Sequence, residues 1–472
     1  MSIALASAVR PLCCGDPLRR LVAKCFCLQG AEAISKVFKD KNFGVGCKGG
    51  VEVVAHSLRD TLARLKGQKG MALLKIDFRN AFNEISRDFF LKAACSLFPE
   101  LSAWSGWCYS SPSILLYDHL EIIESLCGVQ QGDPLGPLYF CCGIMPLVEE
   151  LQALDPEYNK WYMDDGGIVA PVEVLSKVWE ILRTKGPPVG LHLNPAKCEW
   201  TWLDPACMDP CPLLVPGQSS SPVPLVPWEE VQMLGVPLGG DAFTADFVEK
   251  KLLGRLSSTV EKLVAFEDTQ AAFYLLRVSF SIVRAVHFMR TTELFKWLRQ
   301  AVMFDSLVRE AAEHILGLTL PGRRMGQAAL TPRLGGIGLR RTVEHADGAF
   351  SASWHEAKTQ AGEAWQRPGT VRDAYVPQKE ASFLFDQKQH LFLIDTAPDD
   401  REAQRLRRLA QPHAGAWMAP RPFSARASSV SQSPTDWALP SFPPIPPARS
   451  ARKLLILSAI TPLAAQRLGT SS

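Results

Sequence analysis

Along this chain the spacing of apolar positions changes several times, and each change marks an element. Residues 17–38 repeat at helical spacing around "LRRLVAKCFCL", and "VEVVAHSLRDTLARL" is a second amphipathic helix. "MALLKID" breaks that period: it is a near-continuous apolar run of strand length, and it ends at Asp77. Helical spacing returns in "EISRDFFLKAACSLF". A Gly/Pro loop, "GVQQGDPLGP", then leads into "LYFCCGIMPLVEEL", a buried helix with Asp133-Pro134 as its start signal. "WYMDDGGIVA" reads as a hairpin, because Asp-Gly between apolar runs is a strong short-range hairpin signal. A helix near 172–185 follows. After it come short strands around "LHL", "CEWTW" and "VQMLGVPL", interrupted by the Pro/Ser-rich loop "CPLLVPGQSSSPVPLVP". From about 241 to 320 helix follows helix, and from 420 onward Pro and Ser dominate, a composition that predicts disorder.

At 472 residues the chain is long enough for two or three domains, and 47% apolar with 21% charged residues is an ordinary globular balance. A net charge of +3 argues neither for nor against nucleic acid. Its distribution is uneven: from 401 to 472 there are ten Lys or Arg against two acids, a basic tail whose plainest reading is a solvated arm. Thirteen cysteines include no C-x-x-C pair, which argues against a zinc finger. An odd count without a secretion signal predicts reduced thiols in an intracellular setting, nucleus or cytoplasm left open. The most apolar stretch, "FYLLRVSFSIVRAVHFM", carries Arg277, Arg284 and His287 and reads as an amphipathic or buried helix, so no membrane partner is expected.

Two features carry candidate chemistry. Asp77 closes a buried strand, a common way of delivering a functional group, although a helix N-cap would use an aspartate there too. Asp164 and Asp165 sit in the hairpin, where a tight turn pushes both carboxylates outward and they repel unless a cation lies between them. Three carboxylates from adjacent strands predict a site for two Mg²⁺ ions roughly 3.5–4 Å apart, with Mn²⁺ as the substitute. Such a pair serves in-line phosphoryl transfer, one ion at a primer 3′-hydroxyl and the other at a triphosphate.

"KIDFRNAF", "GVQQGDPLGP", "YMDDG", "GLHLNPAKCEW" and "MLGVPLG" occur in the order and at the spacing of a reverse transcriptase palm, and the chain resembles reverse transcriptases of non-LTR retrotransposon type. The resemblance implies an α+β right-hand polymerase: a palm with an antiparallel sheet, helical fingers and a helical thumb. It divides the chain into partial fingers over 1–70, palm over 71–240, thumb over 241–320, a retroelement-like region over 321–420 and a Pro/Ser-rich basic tail over 421–472. Asp77, Asp164 and Asp165 match the metal-binding aspartates, and Phe82 matches the aromatic that closes the sugar pocket. Gln131 and Gly132 match the loop on the incoming nucleotide and template. Lys197 matches a lysine that protonates leaving pyrophosphate, Leu234 and Gly235 the turn that grips the primer end, and Arg10 a fingers arginine on the triphosphate. Plainer readings stand beside these: Phe82 as a core aromatic, Lys197 and Arg10 as surface cations.

The implied activity is RNA-directed DNA synthesis, with an RNA template, a DNA primer or RNA–DNA hybrid and dNTPs as partners. Only nine residues precede Arg10 and none is basic, so the fingers read as shortened at the N-terminus. No endonuclease domain or RNase H carboxylate set is evident. The competing reading is a retroelement relic that folds and binds nucleic acid without polymerising. An RNA-dependent RNA polymerase would commonly carry a carboxylate where this chain has Phe82, and an intron maturase would need an appended RNA-binding domain.

Overall fold

The computed structural model describes residues 16–117, 121–215, 217, 219–254 and 256–411; Arg10 and the tail expected to be disordered lie outside them. Eight strands are present among these residues: β1 (Met71–Ile76), β2 (Ser113–Tyr117), β3 (Glu121–Ser125), β4 (Tyr158–Tyr162), β5 (Asp165–Pro171), β6 (Glu199–Trp202), β7 (Gln232–Met233) and β8 (Val236–Pro237). The central sheet is antiparallel, in the order β4-β5-β1-β6, while β2-β3 and β7-β8 are separate hairpins.

The near-continuous apolar run of β1 has a structural cause: the sheet is covered on both faces. Successive side chains of a strand alternate between faces. Ala72, Leu74 and Ile76 join Ile168 and Ala170 in one core, and Met71 and Leu73 join Val169 in another. The first face packs on helices close to it in sequence. Among them are α5 (Arg87–Leu97), α7 (Gly136–Gln152) and α8 (Val172–Lys185), with Phe90, Tyr139, Phe140, Val178 and Trp179 in the shared core. The helix expected over 84–98 starts only at Arg87, as α5, after the separate short α4 (Ala81–Glu84), and that over 17–38 is divided at Gly30 into α1 (Pro17–Gln29) and α2 (Ala31–Phe38). α6 (Ser102–Tyr109) completes this layer.

The second face is covered by α3 (Gly50–Leu65) and by a helix from far along the chain, α15 (Thr342–Ala361). Between them in sequence, α9 (Asp241–Val248), α10 (Leu256–Val264), α11 (Thr269–Leu275), α12 (Val286–Thr291) and α13 (Leu298–Leu316) surround a core that includes Leu276, Met289, Trp297 and Phe304. α14 (Gly322–Ala329), α16 (Gln378–Asp395) and α17 (Asp400–Leu409) complete the described chain. α15 serves both layers: Ala346 and Ala349 enter the core of the helical layer, while Phe350, Trp354, Ala357 and Ala361 enter the core on the sheet.

A polar network fastens that covering. Arg290 of α12 donates to both carboxylate oxygens of Glu52 in α3 (2.5 and 2.8 Å) and to Glu356 in α15 (2.7 Å). Beneath it, buried His56 places Nε2 at 3.1 Å from the Arg290 carbonyl and 3.1 Å from Ser353 Oγ, and its Nδ1 accepts from Arg59 at 3.0 Å. Burial, and next the Arg59 charge, push the His56 pKa well below 6.5, so the ring is neutral. The stretch Thr269–Thr291 is long and apolar enough to cross a membrane by length and composition, but in this fold it is broken at Ser281 (φ −95°, ψ −149°) and packs on α13 and α15.

"LHL" forms no strand: only Leu193 pairs, in a single bridge to Phe78. The β2-β3 hairpin is an addition that the sequence reading did not foresee. The described cysteines are all free thiols.

Candidate active site

The pairing of β1 with β5 ends at Ile76 opposite Gly166, so the next residues on each strand, Asp77 and Asp165, face each other. Opposed residues of an antiparallel ladder project to the same face. The β4-β5 hairpin is tight: Tyr162 pairs with Asp165, leaving Met163 and Asp164 as the two turn residues. This corrects the expectation that both carboxylates occupy the tip. Asp164 is in the turn and half-buried, while Asp165 is the first residue of β5 and exposed. Met163 has φ +57°, and Asp164 is not left-handed. That φ pattern belongs to a type II′ turn, in which glycine is the usual first central residue. A methionine held there is strained, and such strain clusters at functional sites.

The strand after the turn is shaped for its neighbour. A Cβ on Gly166 would lie 2.5 Å from the indole of Trp161, so only glycine lets that ring cross the strand. Trp161 in turn stacks on Phe78, with centroids 6.2 Å apart. Asp77 is tied to the loop before β6. Its carbonyl accepts from Asn194 N–H (2.9 Å), its own N–H points to Cys198 Sγ (3.4 Å), and Arg79 N–H donates to His192 (2.8 Å). Burial raises the Cys198 thiol pKa to about 12, so it stays protonated. Asn194 also accepts from the N–H groups of Lys197 (2.9 Å) and Cys198 (3.0 Å), which makes the "NPAK" turn and leaves Lys197 exposed on it. Lys197 thus stands on a turn hung from the backbone of Asp77.

The other candidate residues cluster in two groups. Phe82, half-buried on α4, stacks on Phe140 at 4.3 Å with the planes 8° apart, and its carbonyl accepts from Val129 N–H at 2.7 Å. Gln131, in the loop that Val129 opens, donates to Asn83 of α4 (3.3 Å), and Gly132, with φ +110°, is exposed. Leu234 (φ +52°) and Gly235 (φ +75°) form the β7-β8 turn, both left-handed as a type I′ hairpin requires. That hairpin lies over the face that bears Asp77 and Asp165: Met233 Cε comes within 3.6 Å of a Cβ built on Gly167. His287 of α12 holds the turn through the Gly235 carbonyl at 3.1 Å.

Two polar groups near these residues were missed in the sequence. Asp133, buried at 9% exposure, accepts from Leu135 N–H (3.0 Å), Tyr109 OH (3.0 Å) and Arg19 (3.3 Å), and so pins the "QQGDP" loop to α1 and α6. Lys75 pairs with Glu199 at 2.6 Å across β1 and β6, on the Asp77 face. Asp133 reads as a helix start signal because it stands just before α7, where it accepts from the flanking Leu135 N–H; its long-range partners leave no local trace.

Three carboxylates are hard oxygen donors, which suits Mg²⁺ or Mn²⁺ and not a thiolate-seeking metal. The backbone brings Asp77, Asp164 and Asp165 to one end of the sheet. Among the described residues, however, no three His, Cys, Asp or Glu side chains are gathered closely enough to enclose an ion. The donor chemistry fits a hard divalent cation.

Residues 11–238 match the reverse transcriptase (RNA-dependent DNA polymerase) family. Residues 11–238 are thus similar to a reverse transcriptase domain, and a relative extends the similarity to a retrotransposable element. The chain is similar to the retrotransposable element SLACS 132 kDa protein of Trypanosoma brucei gambiense, 28% identical over 332 residues that make up 67% of this chain and 26% of that protein. The chain thus spans about a quarter of that relative's length, 26%. Similar solved structures include telomerase from Candida albicans with a TWJ fragment of telomeric RNA, at 11% identity and TM-score 0.39, covering 83% of this chain and 58% of that one. The corresponding Candida tropicalis telomerase gives 11% identity and TM-score 0.36, covering 82% and 56%.

Proposed function

We propose that this chain is an RNA-directed DNA polymerase that adds deoxynucleotides to a primer 3′-hydroxyl on an RNA template, with the β1/β5 end of the sheet as its catalytic centre. The observation that carries this reading is the register that sets Asp77 opposite Asp165, one residue from Asp164 in the turn. The sheet and its nearby helices act as palm, the segment before β1 as fingers and the 241–320 helices as thumb.

Asp77, Asp164 and Asp165 would hold two Mg²⁺ ions, or Mn²⁺, which supply charge neutralisation and an activated 3′-hydroxyl when bound. The protein's own residues do the positioning. The Leu234–Gly235 turn holds the primer end against the carboxylate face, and the Gln131–Gly132 loop packs on the incoming nucleotide and template. Lys197 delivers a proton to the departing pyrophosphate, and Arg10 meets the triphosphate. Phe82 sets sugar choice: a 2′-hydroxyl would meet an apolar ring and gain no hydrogen bond for its lost water. The stack on Phe140 at 4.3 Å fixes the plane of the ring, which is compatible with this role.

The relic reading draws on one observation, the absence of a closed carboxylate cluster among the described residues. Incorporation of dTTP on poly(A)/oligo(dT) with Mg²⁺ separates the two. A polymerase extends the primer, and a relic retains the duplex in a gel shift without extending it. In the same assay Phe82→Val should lower the ratio of dNTP to rNTP use while deoxynucleotide addition survives. Equal loss of both would make Phe82 a core anchor.

A further inference from the structure

We propose that Asn42 is the positioning residue of the Asp164 turn: its side-chain amide holds the Met163 backbone in the left-handed conformation that aims Asp164. This rests on the reading of Asp164 as part of the catalytic centre. Asn42 lies in the segment between α2 and α3 and is 1% exposed. Its Oδ1 accepts from Met163 N–H at 3.1 Å and from Gly44 N–H at 3.0 Å, and its Nδ2 donates to the Met163 carbonyl at 3.1 Å. One amide therefore meets both backbone groups of the strained residue, as a neighbouring strand's peptide would.

The segment is aligned for this task. It runs beside β4 as a short parallel bridge: Trp161 N–H donates to Lys41 (3.0 Å) and Phe43 N–H donates to Trp161 (2.8 Å). Continued as a ladder, this pairing would reach Met163 next, but there the hairpin turns and no backbone partner fits. The Asn42 side chain takes that place. Close approach needs a bare residue at 44, since a Cβ on Gly44 would lie 2.5 Å from Met163 Cγ and 2.7 Å from Met163 N. A methionine at φ +57° pays a steric penalty that glycine does not. Two hydrogen bonds from a buried amide to that one residue are what over-determines it. A side chain that only filled the core would have no reason to match both backbone groups of a single residue.

The test is a double-mutant cycle between Asn42→Ala and Met163→Gly, read as kcat and KM for dTTP addition. Asn42→Ala should lower kcat by roughly 10- to 100-fold, the scale for a displaced reacting group, with the nucleotide KM little changed. In the Met163→Gly background the same change should cost only a few-fold, because glycine takes the left-handed conformation unaided. An equal loss in both backgrounds, or no loss in either, overturns the clamp. Should Asn42→Ala not fold, Gly44→Ala asks the same question with the amide intact: its methyl displaces the turn, and parental kcat would contradict us. Hydrogen exchange of the Met163 amide separates this inference from the polymerase reading. Asn42→Ala should speed it by more than tenfold whether or not the protein polymerises, and unchanged exchange refutes the clamp. A parent that never incorporates dTTP, with Met163 still protected by Asn42, sinks the polymerase reading alone.

Discussion

The two faces of the central sheet are covered by different means. On one face the helices come from the same stretch of chain as the strands, with α5, α7 and α8 placing Phe90, Phe140 and Trp179 against Leu74, Ile76 and Ile168. On the other, α3 shares the work with α15, whose Phe350 and Trp354 meet Leu73 and Val169 from well over a hundred residues further on. The first face is largely apolar, with Ser105–Tyr139 and Asp133–Tyr109 as polar contacts among its helices. The second is fastened by His56, Arg59 and Arg290, a network that reaches α12 and so the Leu234–Gly235 turn through His287. The face that presents Asp77 and Asp165 is therefore the one whose cover depends on distant chain. Helices assigned to the C-terminal region hold the floor of the site as well as their own core.

The largest effect should come from the cover. Phe350→Ala should destabilise the sheet by about 3–5 kcal/mol, the same range as Phe90→Ala on the opposite face. Urea unfolding of the two variants, followed by tryptophan fluorescence, checks this. If Phe350→Ala left the main transition at its parental midpoint, α15 would be an independent attachment and the comparison would collapse. A smaller loss is expected of Arg290→Met. Its removal leaves Glu52 without its guanidinium partner and Glu356 with the Tyr375 hydroxyl, and we expect about 2–3 kcal/mol, below the usual range for a fully buried pair because both acids keep some water. Restoration by Glu52→Gln in the same variant would confirm that the loss is uncompensated charge.

The third effect is a pH dependence confined to the second face. His56 is neutral in the fold, with its pKa held well below 6.5 by burial and then by Arg59. In the unfolded chain it takes up a proton near its ordinary value. The unfolded state therefore binds more protons as pH falls below 6.5, so the stability tied to His56 is complete above 6.5 and is lost progressively below it. Protonation would also set a new Nδ1–H against the Arg59 donor at 3.0 Å. The stability gap between parent and His56→Gln should shrink on moving from about pH 7 to about pH 5. A gap of constant size would mean that His56 does not titrate with folding.

Much of the first face was legible in the sequence, because its signals are local. Apolar period placed β1, α7 and α8, and Asp-Gly placed the hairpin, while the motif order gave Asp77, Asp164 and Asp165 their shared location. The hairpin tip was misjudged by one residue, since the turn falls on Met163–Asp164 and nothing in "YMDDG" announces a methionine with positive φ. The helix over 17–38 gave no sign of its break at Gly30, and β2-β3 was hidden in an apolar stretch with no Asn-Gly or Asp-Gly turn. What stayed illegible was partnership. The spacing of Phe350, Trp354, Ala357 and Ala361 marks a helical stripe but not the sheet it covers, and Asn42 lies 121 residues from the turn that it holds.

The central claim is that the Asp77 face catalyses templated nucleotide addition. Its most direct test is primer extension on poly(A)/oligo(dT) with Mg²⁺ by the parent and by Asp164→Asn, each checked for an unchanged melting temperature. The side chain stays the same size and sits in a turn, so folding should be preserved. We expect the parent to extend the primer and Asp164→Asn to fall by at least about a thousandfold, as loss of a principal electrostatic contributor demands. Extension by Asp164→Asn at the parental rate would contradict the account.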